Sequence, residues 1–254
     1  MRIGARDLRS VFGAILDPRH YRAAVNMLRL YENPGNLWRR YLLASGTYPE
    51  AVRVKTPLGT IELTAYSWHD ILTINEVFCR HDYPATDQAV IVDFGSNIGI
   101  SAAYFLTRNP GAFVYLYEPL PQNVERLKPN LKPFEGRYTV AQVAVATQQG
   151  TAEFGWEPTG RYGALGSSEA TRQSIQVACV DSNDVLRTVI AKHGRIDMLK
   201  LDIEGLEQEI VARIPTDLAP HIGRIYAECR FDTNPLSQTH TYTQYGSIAR
   251  LIAH

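Results

Sequence analysis

The apolar run Ala89-Val90-Ile91-Val92 ends in Asp93-Phe94-Gly95-Ser96-Asn97-Ile98-Gly99, and the types and spacing of these residues point to a ligand. An unbroken apolar run suits a strand buried on both faces, and the residues after Gly99 favour a helix. A helix N-terminus at a strand end offers unpaired N–H groups, and Gly95 and Gly99 would let the backbone pass close to a bound molecule. The next strand-like run, 113–117, ends in Glu118, about two dozen residues after Gly95. A carboxylate there can accept both hydroxyls of a ribose, so the turn and Glu118 together predict an adenosine-bearing ligand. A second group of side chains stands at the end of a later strand, where Lys200, Asp202 and Glu204 alternate and an ideal strand would put all three on one side. Asp202 or Glu204 is predicted to accept a proton from a substrate. The competing reading is a Lys200 salt bridge that only orients the loop. Glu228, ending the run Ile225-Tyr226-Ala227, is placed either to hold a substrate hydroxyl or to be an ordinary exposed strand-end carboxylate.

The spacing separates candidate ligands. It is Gly-x-x-x-Gly, with Asn97 where a dinucleotide binder needs a second glycine for pyrophosphate approach, and this counts against NAD. S-adenosylmethionine carries no phosphate, so a polar Asn97 and an acidic Asp93 are compatible with its ammonium and sulfonium. No Gly-Lys-Ser/Thr follows, which excludes a P-loop. Transfer of a methyl group from a sulfonium is an in-line displacement. The protein must hold a nucleophilic oxygen about 3–3.5 Å from the methyl carbon and accept its proton. The seven histidines show no HxH or HxxxH spacing, and Lys200 beside Asp202 and Glu204 favours charge pairing over Mg²⁺, so no metal is predicted.

The elements that must position these groups follow from periodicity. From Ala89 onward strands and helices alternate: strand 89–94, helix 98–108, strand 112–117, helix 122–131, strand 138–145. Later come a helix capped by Asp181, strand 196–202, helix 206–214 and strand 224–228. Such alternation predicts an α/β fold, a mostly parallel sheet with helices on both faces. Between 150 and 180 two short strand-like pieces flank a glycine-rich loop, where Arg161, Tyr162 and Ser167 are candidates for lining a substrate site. The first 48 residues carry helical spacing broken at Pro34-Gly35. A hairpin follows over 52–64 around Pro57-Leu58-Gly59, then a helix capped by Asp70. The predicted division is residues 1–69, a helical appendage with a β-hairpin, and residues 70–254, the α/β domain. A helix is predicted from Tyr242 to Ile252, so the sheet would lack closing edge strands and need cover from another chain or segment, leaving a homo-oligomer open.

Composition narrows the function classes. Twenty-six basic residues balance twenty-six acidic ones, so no global field draws the chain to nucleic acid or an anionic bilayer. Cys79, Cys179 and Cys229 are far apart and odd in number, which suits a reducing cytoplasm better than a disulfide framework. No apolar run approaches a membrane span, and residues 1–16 contain no uninterrupted signal-like core. The predicted partner is a small molecule or glycan, with neither nucleic acid nor membrane.

With these motifs in this order, the chain resembles the FkbM-type methyltransferase family. Val92 to Gly99 is similar to the family's first motif. Glu118-Pro119-Leu120-Pro121-Gln122-Asn123 with Leu127 and Asn130 is similar to its second, and Lys200-Leu201-Asp202-Ile203-Glu204-Gly205-Leu206-Glu207 to its hallmark. Val143-Ala144 and Val180-Asp181 fall where the family has an adenine-side strand end and a later capped helix. The resemblance spans roughly residues 70–230. It implies a Rossmann-like class I methyltransferase core with S-adenosylmethionine as donor, contacted by Asp93, Gly95, Ser96, Asn97, Gly99, Glu118, Pro119, Asn123 and Ala144. It further implies O-methylation of a hydroxyl on a sugar, glycan or secondary metabolite. The alternatives are an NAD-dependent sugar-modifying oxidoreductase and a non-catalytic protein that keeps a nucleoside fold for binding.

Overall fold

The computed structural model describes residues 2–3, 6–7, 18–44, 46–157, 163–165 and 173–254. The chain forms two compact units, Met1–Pro84 and Ala85–His254. In the first, strands β1 (Arg2–Ile3) and β2 (Arg6–Asp7) pair, followed by helices α1 (Pro18–Leu30) and α2 (Pro34–Leu43). Pro34 starts α2 rather than breaking a helix. Its fixed φ suits the first turn, and Asn33 caps it by accepting the Asn36 N–H at 3.2 Å. The predicted hairpin is present as β3 (Glu50–Thr56) and β4 (Gly59–Ala65), with Val52 and Val54 buried between exposed Arg53 and Lys55.

Helix α3 (Trp68–Ile74) continues as a π-helical turn, Asn75–Arg80. Its N-cap is Ser67, not Asp70. Asp70 is the third helical residue of a capping box, its Oδ2 accepting the Ser67 N–H at 2.8 Å. The turn after α3 belongs with the first unit, where Asn26 Nδ2 donates to the Cys79 carbonyl at 2.7 Å. The division of the chain therefore falls at Pro84, beyond the boundary at 69 drawn from sequence.

The second unit is the expected Rossmann-like α/β core. Its main sheet is built from β5 (Val90–Phe94), β6 (Phe113–Tyr117), β7 (Tyr138–Ala141), β12 (Met198–Leu201), β13 (Arg224–Ala227), β14 (His240–Tyr245) and β15 (Ile248–Ala253), in the order β14-β15-β13-β12-β5-β6-β7. The five strands from β13 to β7 are parallel. Val92, Phe94, Leu199, Leu201, Ile225 and Ala227 are buried in one cluster, which explains why these strands read as unbroken apolar runs. Between the main-sheet strands run α4 (Ile100–Leu106), α5 (Pro121–Leu131), α6 (Ser182–His193) and α7 (Glu207–Ala212). Asp181 caps α6 as predicted, accepting the Asn183 N–H at 2.7 Å.

Two expectations need correction. The run 138–145 is not one strand: β7 ends at Ala141, and β8 (Ala144–Ala146) joins β9 (Gly150–Trp156), β10 (Gly163–Leu165) and β11 (Gln173–Asp181) in a second sheet ordered β10-β9-β11-β8. Residues 242–252 are not helical. They lie in the hairpin β14–β15, joined by Gly246-Ser247 with Gly246 at φ +63°, a two-residue link that glycine permits. Thr241, Tyr242, Thr243, Tyr245 and Ile248 favour extended chain, and burial of Ile248 and Leu251 fixes the register. β15 pairs antiparallel with β13, so the closing strands thought missing are present and β13 has its cover from within the chain. No helix among the described residues is long and apolar enough to cross a membrane.

Candidate functional site

The strand order reverses between β5 and β12, and the loops leaving their carboxyl ends diverge there, where open α/β sheets hold ligands. The glycine turn leaves β5 and the Asp202 loop leaves β12. They touch directly: a Cβ on Gly95 would lie 1.9 Å from the Asp202 carbonyl oxygen, with φ at +80°. Gly99 similarly makes room for Leu127 and Leu131 at 3.0 and 3.1 Å. Both glycines, expected to clear a path for a ligand, are required by the chain's own packing.

The end of β6 holds the turn. Gly95 N–H and Ser96 N–H both donate to the Tyr117 carbonyl, at 3.0 and 3.1 Å, and Ser96 Oγ accepts the Tyr117 N–H at 3.0 Å. Asn97 sits at φ +48° with its N–H on Glu118 Oε2 at 2.9 Å. Glu118 Oε1 accepts the Leu120 N–H at 3.0 Å and Asn123 Nδ2 at 3.1 Å. Burial pushes the Glu118 carboxyl up to about 7 against the opposing pull of those hydrogen bonds and of Lys200. Pro119 is half-buried beside it, and Ala144 lies buried with Leu120 in the small cluster under the second sheet.

Across the switch point Lys200 is buried, although its position in the sequence places it among the reacting groups. Its ammonium donates to Asp93 Oδ1 and to the Gly95 carbonyl, each at 3.0 Å, and pairs with Asp202 Oδ2 at 3.5 Å. Burial would lower its pKa, but Asp93 and Asp202 outweigh that and hold it above the ordinary lysine value. Asp93, fully buried, also accepts Ser101 Oγ at 2.6 Å. Lys200 thus ties the glycine turn to the Asp202 loop through contacts to both.

Beyond β12 the backbone leaves the extended conformation, with Glu204 at φ +61°, and the three alternating residues do not share one strand face. Glu207, the first residue of α7, reaches back to accept Ile203 N–H at 2.7 Å and Gly205 N–H at 2.9 Å, which fixes that loop. The result is a cleft of about 270 Å³ lined by Asp202, Glu204, Gly205, Glu207, Gln208, Glu228 and Cys229. Asp202, Glu204 and Glu228 line it together, and Ser247 Oγ donates to Glu228 Oε1 at 3.1 Å. Arg161, Tyr162 and Ser167 lie outside the described residues.

Sequence reasoning gives no role to Ser101, the Tyr117 carbonyl, Gln208 or Cys229. Only Glu207 carries a signal, an acid in the first turn of a helix shortly after a glycine. The groups at the turn are a buried carboxylate, backbone N–H donors and carbonyls, with the Lys200 charge already shared by Asp93 and Asp202. The N–H groups of Gly95, Ser96, Asn97 and Gly99 are already bonded within the turn, so they are not free to receive a pyrophosphate. That set fits a phosphate-free nucleoside carrying a cationic sulfonium.

A sequence model of the Methyltransferase FkbM domain matches residues 93–237. The chain is 25% identical over 195 residues to the 31-O-demethyl-FK506 methyltransferase FkbM of Streptomyces tacrolimicus, covering 64% of this chain and 73% of that protein. It is 25% identical over 151 residues to the AMB antimetabolite synthetase AmbE of Pseudomonas aeruginosa, covering 59% of this chain and spanning only 7% of the synthetase. Among solved structures, a methyltransferase from Geobacter sulfurreducens aligns with a TM-score of 0.39 and 15% identity over 66% of this chain and 72% of that one.

Proposed function

The chain belongs to the FkbM-domain methyltransferase family, whose methyl donor is S-adenosylmethionine, and on that premise we propose that it methylates a hydroxyl oxygen of a small molecule such as a sugar, glycan or secondary metabolite. The observation that carries this reading is the carboxylate-lined cleft at the end of β12, joined to the glycine turn through Lys200. When bound, the donor supplies an electrophilic methyl group on a sulfonium. The chain's own residues do the rest. Glu118 holds the ribose, and Asp93, Ser96, Asn97 and Asn123 shape the turn around the nucleoside. Asp202 or Glu204 accepts the proton of the acceptor hydroxyl as its oxygen attacks, and Glu228 holds a neighbouring polar group. Lys200 keeps Asp202 in place. With the family assigned, the nicotinamide alternative has no support left. Three widely separated free thiols support a cytoplasmic setting.

Removing the proton acceptor without changing shape tests the assignment. Of Asp202→Asn and Glu204→Gln, at least one is expected to lower turnover about 10²-fold or more while leaving S-adenosylhomocysteine affinity unchanged. Full turnover by both variants, measured with labelled donor and an extract that contains the acceptor, sinks the catalytic assignment. Donor binding with no labelled product from any extract would favour a non-catalytic role instead.

The ribose contact is testable through pH. A ribose hydroxyl donates to the carboxylate form of Glu118, so binding favours the charged form of a group whose free value is about 7. Affinity is therefore full above pH 7 and falls as pH drops through it. Calorimetry with S-adenosylhomocysteine is expected to show about tenfold weaker binding at pH 6 than at pH 8. A flat profile removes Glu118 from the ribose.

A further inference from the structure

We infer that the edge strand β14 pairs with β14 of a second copy of this chain, antiparallel and about a two-fold axis at Thr243, so that two main sheets join into one. Among the described residues β14 is the last strand of the main sheet, with β15 along one side of it. Three bonds fix the direction of its main-chain groups. Ala253 N–H donates to the Gly223 carbonyl at 2.9 Å, on the β13 side and away from β14. His254 N–H donates to the Thr239 carbonyl at 3.2 Å, and His240 N–H turns from the sheet to the Leu236 carbonyl at 2.8 Å. In an antiparallel ladder this alternation continues along the strand. Thr241, Thr243 and Tyr245 therefore bond to β15, whereas Tyr242 and Gln244 aim their N–H and C=O groups away from it.

Edge strands are ordinarily guarded against pairing by charge, proline, a bulge or shortness. β14 runs His240–Tyr245 in unbroken register with β15, and the chain from Thr239 to Ser247 has no Asp, Glu, Lys, Arg or Pro. The hairpin β3–β4, by contrast, exposes Arg53, Lys55 and Glu62. Charge also selects the occupant. An uncharged edge gives a charged partner no counter-ion, and copies of a chain with formal net charge zero meet without global repulsion.

The register follows from which residues point outward. A two-fold centre at Tyr242 would bond the two Tyr242 residues, but the next pair needs His240, whose N–H is on Leu236 and whose carbonyl accepts Asn234 Nδ2. A centre at Gln244 needs Gly246, in the link beyond the strand. A centre at Thr243 sets Tyr242 opposite Gln244 of the second copy on both sides of the axis, and each such pair exchanges both N–H···O bonds. Thr243 then faces its own counterpart in a favourable Thr–Thr contact, and Thr241 faces Tyr245. This surface complements itself and closes on itself. Ser247 follows β14 in the chain and bonds Glu228, so pairing also steadies one wall of the cleft.

Sedimentation velocity of the full chain is expected to show a dimer at about 100 µM that dissociates on dilution, as a small interface allows. Thr243 is exposed, so Thr243→Lys should leave the urea midpoint unchanged. It sets two like charges face to face, and the dimer should weaken about tenfold or more. Thr243→Cys brings two Cα atoms to about 4.5 Å, within reach of a disulfide, and mild oxidation should crosslink it. Thr241→Cys, opposite Tyr245, should not crosslink, nor should the parent chain, whose Cys79 and Cys179 are buried and Cys229 half-buried. A parent chain that stays monomeric at that concentration overturns the inference. So does a dimer that Thr243→Lys leaves intact, because it then forms through another surface. Crosslinking of Thr241→Cys as readily as Thr243→Cys overturns the two-fold centre at Thr243.

Discussion

Replacing Lys200 with methionine is expected to cost about 3–5 kcal/mol of folding stability and to abolish donor binding in whatever protein still folds. The ammonium is the buried counter-charge of Asp93, which is fully buried and would be left with only the Ser101 hydroxyl. An uncompensated buried carboxylate is far more costly than a missing pair. The double variant Asp93→Asn with Lys200→Met is therefore expected to regain a large part of the loss in urea denaturation. It should not regain the ligand, because the bond from Lys200 to the Gly95 carbonyl is gone in both. Recovery of S-adenosylhomocysteine binding by the double variant would show that Lys200 contributes charge balance and nothing to the shape of the turn.

Gly95→Ala is expected to be the second severe change, with a loss of about 3 kcal/mol or more and no measurable donor binding. The new Cβ would sit 1.9 Å from the Asp202 carbonyl oxygen and 2.8 Å from its carbon, atoms of a residue whose N–H is bonded to the Phe94 carbonyl at 3.1 Å, and φ is +80°. Conformation and overlap can be separated by a control. Gly136 has a similar φ of +81°, and a Cβ added there would meet nothing within 4 Å, so Gly136→Ala should cost only about 1–2 kcal/mol. Equal destabilisation of the two variants in thermal or urea melts would show that the contact with Asp202 is unimportant.

The positions of these groups along the chain are legible because buried parallel strands announce themselves as apolar runs. The turn, Glu118 and the Lys200 to Glu207 stretch all sit at the ends of such runs. What one strand end does to another is not legible. That Gly95 must clear the Asp202 carbonyl is seen only when β5 and β12 lie side by side, and that Lys200 pairs with Asp93 only when the two strands are seen together. Periodicity also misleads where tertiary context decides. The segment 242–252 has apolar residues at intervals a helix could use, but the Gly246-Ser247 link and the free edge of β13 draw it into the sheet. The helix near Trp68 shows its type but not its cap, because Asp70, read as the cap, is the third residue of a capping box whose cap is Ser67. The cleft's composition is half visible: its carboxylates stand in one motif and one strand end, whereas Gln208 and Cys229 enter only through the path of α7 and the residues after β13.

The Asp93–Lys200 contact joins residues 107 positions apart. Closing so long a loop is a slow, entropically costly step in refolding, and a partly folded chain in which only β5, β6 and β7 have paired contains the glycine turn and Glu118 but no ammonium to anchor them. Such an intermediate keeps Glu118 but leaves the glycine turn without its Lys200 anchor, so on the proposed reading it holds the donor more weakly. The donor therefore stabilises the chain in which β12 has docked over the half-assembled sheet by mass action.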